Sequence, residues 1–171
     1  MSVDTPKYRV SWNQVDYAIM SLTAKLKKYG YQPRKILAVA RGGVIPATML
    51  SHKLGVRDVG FIRADSYTSQ VVASGLKNVV VTDTLDIYKH TILPETIAGK
   101  DLRSMWDSVS TLVVDDLWDT GHTISWIRQL LPEATTATAF YRKRDDESHK
   151  IVSFPGLCLD TRDWIEFPWE R

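Results

Sequence analysis

Residues 113–123, with the sequence VVDDLWDTGHT, contain the pattern that decides the fold. The apolar run over residues 111–114 predicts a strand buried on both faces, which ends at Asp115 and Asp116. After a polar turn, apolar residues at helical spacing lead to Pro132 and predict a helix. A strand, a turn and a helix in this order are the repeating unit of a mainly parallel α/β sheet.

The polar turn offers two kinds of oxygen-binding group. Asp115 and Asp116 are adjacent carboxylates at the end of a strand, which suits vicinal hydroxyls or a hydrated divalent cation. Residues 120–123 supply hydroxyls and backbone N–H groups at a helix N-terminus, where a phosphate is favoured. Together these groups describe a site for a ribose phosphate. Helix capping alone would also explain Asp119 or Thr120 taken singly.

The same order of strand, glycine turn and helix occurs earlier in the chain. Ser11 and Gln14 form a capping-box pattern before an amphipathic helix that extends to Gly30. Residues 36–40 predict a second buried strand, which leads through a glycine turn to a short helix ending at Gly55. Further strands are predicted over residues 59–62, 136–141 and 151–154. Both glycine turns then lie at the carboxyl edge of the sheet, where ligands bind.

The segment from residue 66 to residue 108 does not follow this alternation. It begins with Ser, Thr and Gly residues, has a β-branched patch at residues 79–81, and contains Pro94 and Gly99. This composition predicts a flexible loop and a small irregular hairpin inserted into the sheet protein.

Composition limits the classes of protein and partner. A chain of 171 residues suits one domain, and 22 basic against 20 acidic residues give a formal charge of +2, too small for a general nucleic-acid binder. The single cysteine, Cys158, excludes an internal disulfide and a multi-cysteine zinc cluster, and is expected to be a small buried residue. The sequence has no signal-peptide pattern and no apolar run near the roughly 18 residues of a membrane span, so a cytoplasmic protein without a membrane partner is expected.

Residues 113–123 resemble the phosphoribosyl pyrophosphate (PRPP) signature of the type I phosphoribosyltransferases, in which a hydrophobic strand precedes two acids and Asp-Thr-Gly-x-Thr. Residues 8–12, 38–46 and 164–170 resemble the xanthine-guanine branch of that family, in the same order, so that about two thirds of the chain is covered. The resemblance implies one domain over residues 1–171, with a mainly parallel five-stranded sheet flanked by helices and a flexible loop. Hood or insertion elements are expected at about residues 66–108 and 150–171.

The resemblance also implies a reaction. The 5-phosphoribosyl group of PRPP would pass to a 6-oxopurine (xanthine, guanine or hypoxanthine), giving a nucleoside 5′-monophosphate and pyrophosphate in purine salvage. Asp119 would be the catalytic residue beside the attacking base nitrogen, and Asp115 and Asp116 would hold the ribose hydroxyls and Mg²⁺, partly through PRPP and water. The 5′-phosphate would be cradled by Thr120, Gly121, His122 and Thr123.

The remaining roles that the resemblance implies concern pyrophosphate and base. Pyrophosphate would be bound by Arg41, Gly42, Ser66 and Tyr67, with a non-proline cis peptide just before the position of Gly42. Strict alignment puts Arg142 where the family has a lysine for the 6-oxo group, with Lys143 next, and either could donate to an oxygen. The base would stack on Trp164 and meet the backbone of Ile165.

The sequence leaves two alternative functions open, and the resemblance bears on the oligomeric state. The family resemblance implies a homodimer or a homotetramer. A non-catalytic regulator that senses PRPP is an alternative to an enzyme, because the same fold serves both. A phosphoribosyltransferase for another base is the second alternative.

Overall fold

The computed structural model describes residues 6–64, 79–82, 96–97, 100–101, 109–143 and 152–171. Its strands are β1 (Lys7–Arg9), β2 (Lys35–Ala40), β3 (Asp58–Ala64), β4 (Val79–Thr82), β5 (Thr96–Ile97), β6 (Lys100–Asp101), β7 (Thr111–Trp118), β8 (Thr135–Arg142), β9 (Phe154–Leu159) and β10 (Trp164–Glu166). Its helices are α1 (Trp12–Lys28), α2 (Val44–Leu54) and α3 (His122–Leu130), and a 3₁₀ turn covers Pro168–Glu170.

The main sheet has six strands in the order β4-β3-β2-β7-β8-β9. The five strands from β3 to β9 in this order pair in parallel, and β4 is added antiparallel to β3 at one edge. The predicted five-stranded parallel sheet is therefore confirmed. In the register of β2 with β7, Ala38 lies beside Val114, so the part of β7 that follows Val114 lies level with the end of β2.

Helices α1 and α2 were both predicted, and both pack against the sheet as expected. Ser11 caps α1 in a capping box, in which Gln14 N donates to Ser11 Oγ at 3.3 Å and Gln14 Oε1 accepts from Ser11 N at 2.9 Å. One face of α1 packs against β8, β9 and α2 and buries Val15, Ile19, Leu22 and Leu26. Burying each of the larger side chains contributes about 1.5–3 kcal/mol. None of the helices in the described ranges is long and apolar enough to cross a membrane.

Strand β7 is longer than predicted, because it continues through Asp115 and Asp116 to Trp118. Leu117 and Trp118 still pair with Phe140 and Tyr141 of β8. The Trp118 side chain is buried in a second apolar cluster with Ile124 of α3 and Val152. This packing extends the strand beyond the apolar run that the sequence shows.

The boundaries predicted for the strand near residue 151 were wrong, because β9 covers Phe154–Leu159. It is an edge strand, where Pro155 is tolerated. Lys25 of α1 donates to the Pro155 carbonyl at 2.5 Å and so satisfies a backbone group from outside the sheet. Cys158 is exposed on this edge strand, which contradicts the expectation of a buried cysteine.

The irregular segment is described only in part. Residues 79–82 do not stand apart from the sheet but form its antiparallel edge strand β4. Strands β5 and β6 pair as a short antiparallel ladder, in line with the predicted small hairpin. Ser66, Tyr67 and the rest of the predicted loop lie outside the described residues.

The two ends of the chain are joined by a second small sheet, in which β1 and β10 pair in parallel. The Glu166 carboxylate accepts from Lys7 Nζ at 2.9 Å and from Arg9 Nε at 3.1 Å, and Arg171 Nε lies 3.6 Å away. Phe167 stacks on Trp169 with ring centroids 4.7 Å apart. The segment around Trp164 is thus tied to the N-terminal strand.

We expect Glu166→Gln to lower the free energy of unfolding at pH 7. The hydrogen bond from Lys7 and the charges of Lys7, Arg9 and Arg171 hold the pKa of Glu166 below its ordinary value. A depressed carboxyl pKa contributes stability above the ordinary glutamate pKa of about 4.3, and this contribution is lost as the pH falls through the lowered pKa. Urea unfolding of both proteins between pH 3 and 8 should show a difference that disappears in acid.

The control is Asp160→Asn, which removes an exposed carboxylate. The same pH-dependent loss in that variant would show that net charge, and not the Glu166 cluster, causes the effect.

Candidate active site

Two adjacent carboxylates lie in the second half of β7. Asp115 is only 7% exposed, and Asp116 is partly buried. Asp116 N donates to Asp115 Oδ1 at 2.9 Å, and Leu117 N donates to Asp116 Oδ1 at 2.8 Å. Burial, together with the adjacent Asp116 charge, raises the pKa of Asp115 well above its usual range, and burial also raises the pKa of Asp116. Hydroxyl donors or a cation would favour the ionised form of this pair.

The glycine turn after β2 lies directly against these acids. A Cβ at Gly42 would overlap the Asp116 carboxylate, and a Cβ at Gly43 would lie 2.6 Å from the backbone oxygens of Val39 and Val114. The turn can therefore approach β7 this closely only without a side chain at position 43, and a side chain at position 42 would displace the Asp116 carboxylate. The peptide bond between Ala40 and Arg41 is cis, in the turn for which the resemblance implied one. The Arg41 side chain is exposed next to this contact.

The turn after β7 leads into the N-terminus of α3. Gly121 has φ +78°, and a Cβ there would lie 2.9 Å from Trp118 Nε1. Thr120 Oγ1 and His122 Nδ1 are 2.9 Å apart and share a hydrogen bond. In the described part of the chain no side chain caps this helix, so its first N–H groups are suited to an anionic ligand.

Arg142, the last residue of β8, connects this turn to the C-terminal segment. Its Nε donates to Asp119 Oδ1 at 3.0 Å. Its Nη1 donates to the carbonyls of Thr161 and Asp163, and its Nη2 donates to the Asp163 carbonyl at 3.2 Å. Trp164 follows directly and is 49% exposed, whereas Ile165 is buried.

The family model of the phosphoribosyl transferase domain matches residues 11–170. The chain belongs to the phosphoribosyltransferase family. It is 30% identical over 166 residues to a xanthine-guanine phosphoribosyltransferase from Ruegeria sp. (strain TM1040), an alignment that covers 95% of this chain and 85% of the relative. A xanthine-guanine phosphoribosyltransferase from Idiomarina loihiensis is 31% identical over 165 residues, which cover 96% and 87% of the two chains.

Solved structures agree with this assignment. The purine phosphoribosyltransferase from Pyrococcus horikoshii Ot3 is 29% identical, with a TM-score of 0.63 and coverage of 96% of this chain and 94% of that one. The xanthine-guanine-hypoxanthine phosphoribosyltransferase from Helicobacter pylori, at 19% identity and a TM-score of 0.58, supports the fold alone. The type I phosphoribosyltransferase fold is therefore confirmed, and the protein is a phosphoribosyltransferase enzyme.

The structure of this phosphoribosyltransferase brings together most of the residues predicted for its site. Asp115, Asp116 and the Arg41-Gly42 turn share one edge of the sheet, and residues 119–123 follow from the same edge. Arg142 lies beside Asp119. Sequence reasoning missed the carbonyls of Thr161 and Asp163, because a backbone acceptor leaves no residue-type signal.

We expect Gly42→Ala to weaken PRPP binding more than it weakens the fold. The added methyl group must displace the Asp116 carboxylate, which is a movable side chain. A loss of about 1.4 kcal/mol or more would raise the KM for PRPP tenfold or more. Steady-state kinetics and thermal melting should be measured on the same preparation.

Gly43→Ala is the matched comparison, since its methyl group meets backbone oxygens that cannot rotate away. It should lower stability by about 1–3 kcal/mol, the usual cost of overpacking. An unchanged KM for PRPP in Gly42→Ala would mean that the contact with Asp116 does not matter for binding.

Proposed function

We propose that this phosphoribosyltransferase transfers the 5-phosphoribosyl group of PRPP to a 6-oxopurine in purine salvage. The observation that carries the proposal is the meeting of the acid pair, the Arg41-Gly42 turn and the N-terminus of α3 at one edge of the sheet. These groups match the hydroxyls, the pyrophosphate and the 5′-phosphate of PRPP. The relatives named as xanthine-guanine enzymes support a 6-oxopurine acceptor.

PRPP would lie across this edge. Asp115 and Asp116 accept from the ribose hydroxyls, while Thr120, Gly121, His122 and Thr123 surround the 5′-phosphate with N–H and O–H donors. Arg41 and the backbone at Gly42 bind the pyrophosphate. Ser66 and Tyr67 are proposed to cover it, which would keep water from the reacting carbon.

Magnesium fits the acid pair by donor chemistry. The two adjacent carboxylates are hard oxygen ligands whose burial raises their pKa values, and a bound cation would favour their ionised forms. Among the described residues no cluster of three or more acidic, His or Cys side chains forms a closed metal site. We therefore propose that Asp115 and Asp116 hold Mg²⁺ partly through PRPP and water. When bound, the metal would neutralise charge on the departing pyrophosphate.

The chemical step replaces the bond from C1 of the ribose to pyrophosphate with a bond to a purine nitrogen. The transition state has oxocarbenium character, and the attacking base becomes positively charged. Asp119 would lie beside this nitrogen and take its proton or stabilise the charge. The ion pair with Arg142 orients the Asp119 carboxylate for this role.

The base would bind between Asp119 and the C-terminal segment. Trp164 is half exposed and so presents a ring face on which a purine could stack. The backbone of Ile165 would meet the 2-substituent. A cation at the end of β8, Arg142 or Lys143, would donate to the 6-oxo group and disfavour a 6-amino purine.

The direct test is pyrophosphate release from PRPP with a panel of bases. With magnesium present, we expect turnover with xanthine, guanine or hypoxanthine at least about tenfold above adenine, and loss of turnover with EDTA. Equal rates with adenine would contradict the assignment of the base. No release with any base, together with tight PRPP binding, would instead support a non-catalytic PRPP sensor.

We expect Asp119→Asn to lower kcat by roughly 10²-fold or more while the Kd for PRPP changes only a few fold. The amide keeps the shape of the side chain but loses its negative charge. Rapid-quench turnover and PRPP binding by calorimetry separate these effects. A kcat equal to that of the wild type would remove Asp119 from the mechanism.

We expect Trp164→Ala to raise the KM for the purine about tenfold to a hundredfold, because stacking on a base is worth about 1–3 kcal/mol. The KM for PRPP should move much less. A tryptophan that served the core would behave differently, since its truncation would cost about 3–5 kcal/mol of stability. If the Tm collapses while the purine KM stays constant, Trp164 is structural and the base binds elsewhere.

A further inference from the structure

The Arg142 guanidinium lies where three segments of the chain meet. Its Nε binds Asp119, which follows β7, and its two terminal nitrogens bind the carbonyls of Thr161 and Asp163, which precede β10. The side chain is only 16% exposed, compared with 37% for Asp119. Arg142 therefore links the catalytic carboxylate to the turn that leads into Trp164.

Most of the donors of this guanidinium are already used. Arginine has five N–H groups in a planar fork. The four hydrogen bonds that Arg142 donates come from all three of its nitrogens. Lysine, a point charge with three donors, cannot hold a carboxylate and two carbonyls in this planar arrangement. The turn is closed further by the Asp163 N–H, which donates to Thr161 Oγ1 at 3.1 Å.

A direct role for Arg142 in binding the 6-oxo group would have to use its one remaining Nη2 N–H, unless the guanidinium left these contacts. That move would leave the carbonyls of Thr161 and Asp163 without the guanidinium and would release Asp119 at the moment its orientation is needed. Lys143 is the next residue, is exposed, and is the other cation at this end of β8.

We propose that Arg142 is a positioning residue that fixes the distance between Asp119 and the Trp164 wall, and that it is not itself the donor to the 6-oxo group. This inference rests on the proposed function for its effect on catalysis. The bridge itself is a property of the free protein and can be tested without any substrate.

The first experiment compares hydrogen exchange of the free wild-type protein, Arg142→Lys, and the control Arg57→Lys, which alters an exposed arginine before β3. We expect the amides of Asp163 and Trp164 to exchange at least about fivefold faster in Arg142→Lys, while the amides of β7 and β8 and the whole control stay unchanged. Unchanged exchange at residues 161–164 would overturn the bridge.

The second experiment measures the KM for guanine, the KM for PRPP, kcat, and the inhibition constant of 2-aminopurine, which lacks the 6-oxo group. In Arg142→Lys we expect the guanine KM and the 2-aminopurine constant to rise by the same factor, about tenfold, with a lower kcat and a PRPP KM within about threefold. In Lys143→Met we expect the guanine KM to rise while the inhibition constant of 2-aminopurine stays unchanged. If Arg142→Lys raises the guanine KM but leaves the 2-aminopurine constant unchanged, Arg142 is the direct donor and the proposal is overturned.

Failure of the variant to fold and absence of wild-type activity have different consequences. If Arg142→Lys does not fold, Arg142→Gln replaces it in both experiments, and failure of both to fold would make Arg142 a stability residue and overturn the proposal. If the wild-type protein has no purine transferase activity, the proposed function fails, while hydrogen exchange still decides whether the bridge exists.

Discussion

The close contact between the turn after β2 and the Asp116 carboxylate is the constraint on which the site depends. Parallel pairing places Ala38 beside Val114, so the turn after β2 passes the part of β7 that holds Asp115 and Asp116. A side chain at position 43 would overlap backbone oxygens, and one at position 42 would displace the Asp116 carboxylate. The glycine turn and the acid pair are therefore one structural unit, and a slip in the register of β2 against β7 would separate them.

Local signals in the sequence were enough to predict the sheet and the two glycine turns that carry the proposed PRPP site. The apolar runs that became β2 and β7, and the capping box of α1, depend on neighbouring residues alone. The predicted boundaries of β7 and β9 were wrong, because contacts with residues distant in sequence set them. Trp118 extends β7 by packing on Val152, and Lys25 supports β9 at Pro155 from 130 residues away. No window of sequence contains either contact.

The base half of the site could be predicted only as a set of residue types. Trp164 and Arg142 were found by resemblance, but the partners of Arg142 were not, because Thr161 and Asp163 contribute backbone carbonyls that any residue carries. The pairing of β1 with β10, which fixes the segment around Trp164, joins residues about as far apart as the chain allows. Such pairings have no local periodicity that would reveal them.

The two halves of the site are also supported in different ways. The PRPP half rests on central strands and on a helix N-terminus, where the backbone is held by the sheet on both sides. The base half rests on a terminal segment held by the Glu166 ion pairs at one end and by Arg142 at the other. Because different groups hold the two halves, we expect substitutions in the terminal segment to affect the proposed base site more than the proposed PRPP site. The Arg142 bridge is a link through which a change in that segment would reach Asp119.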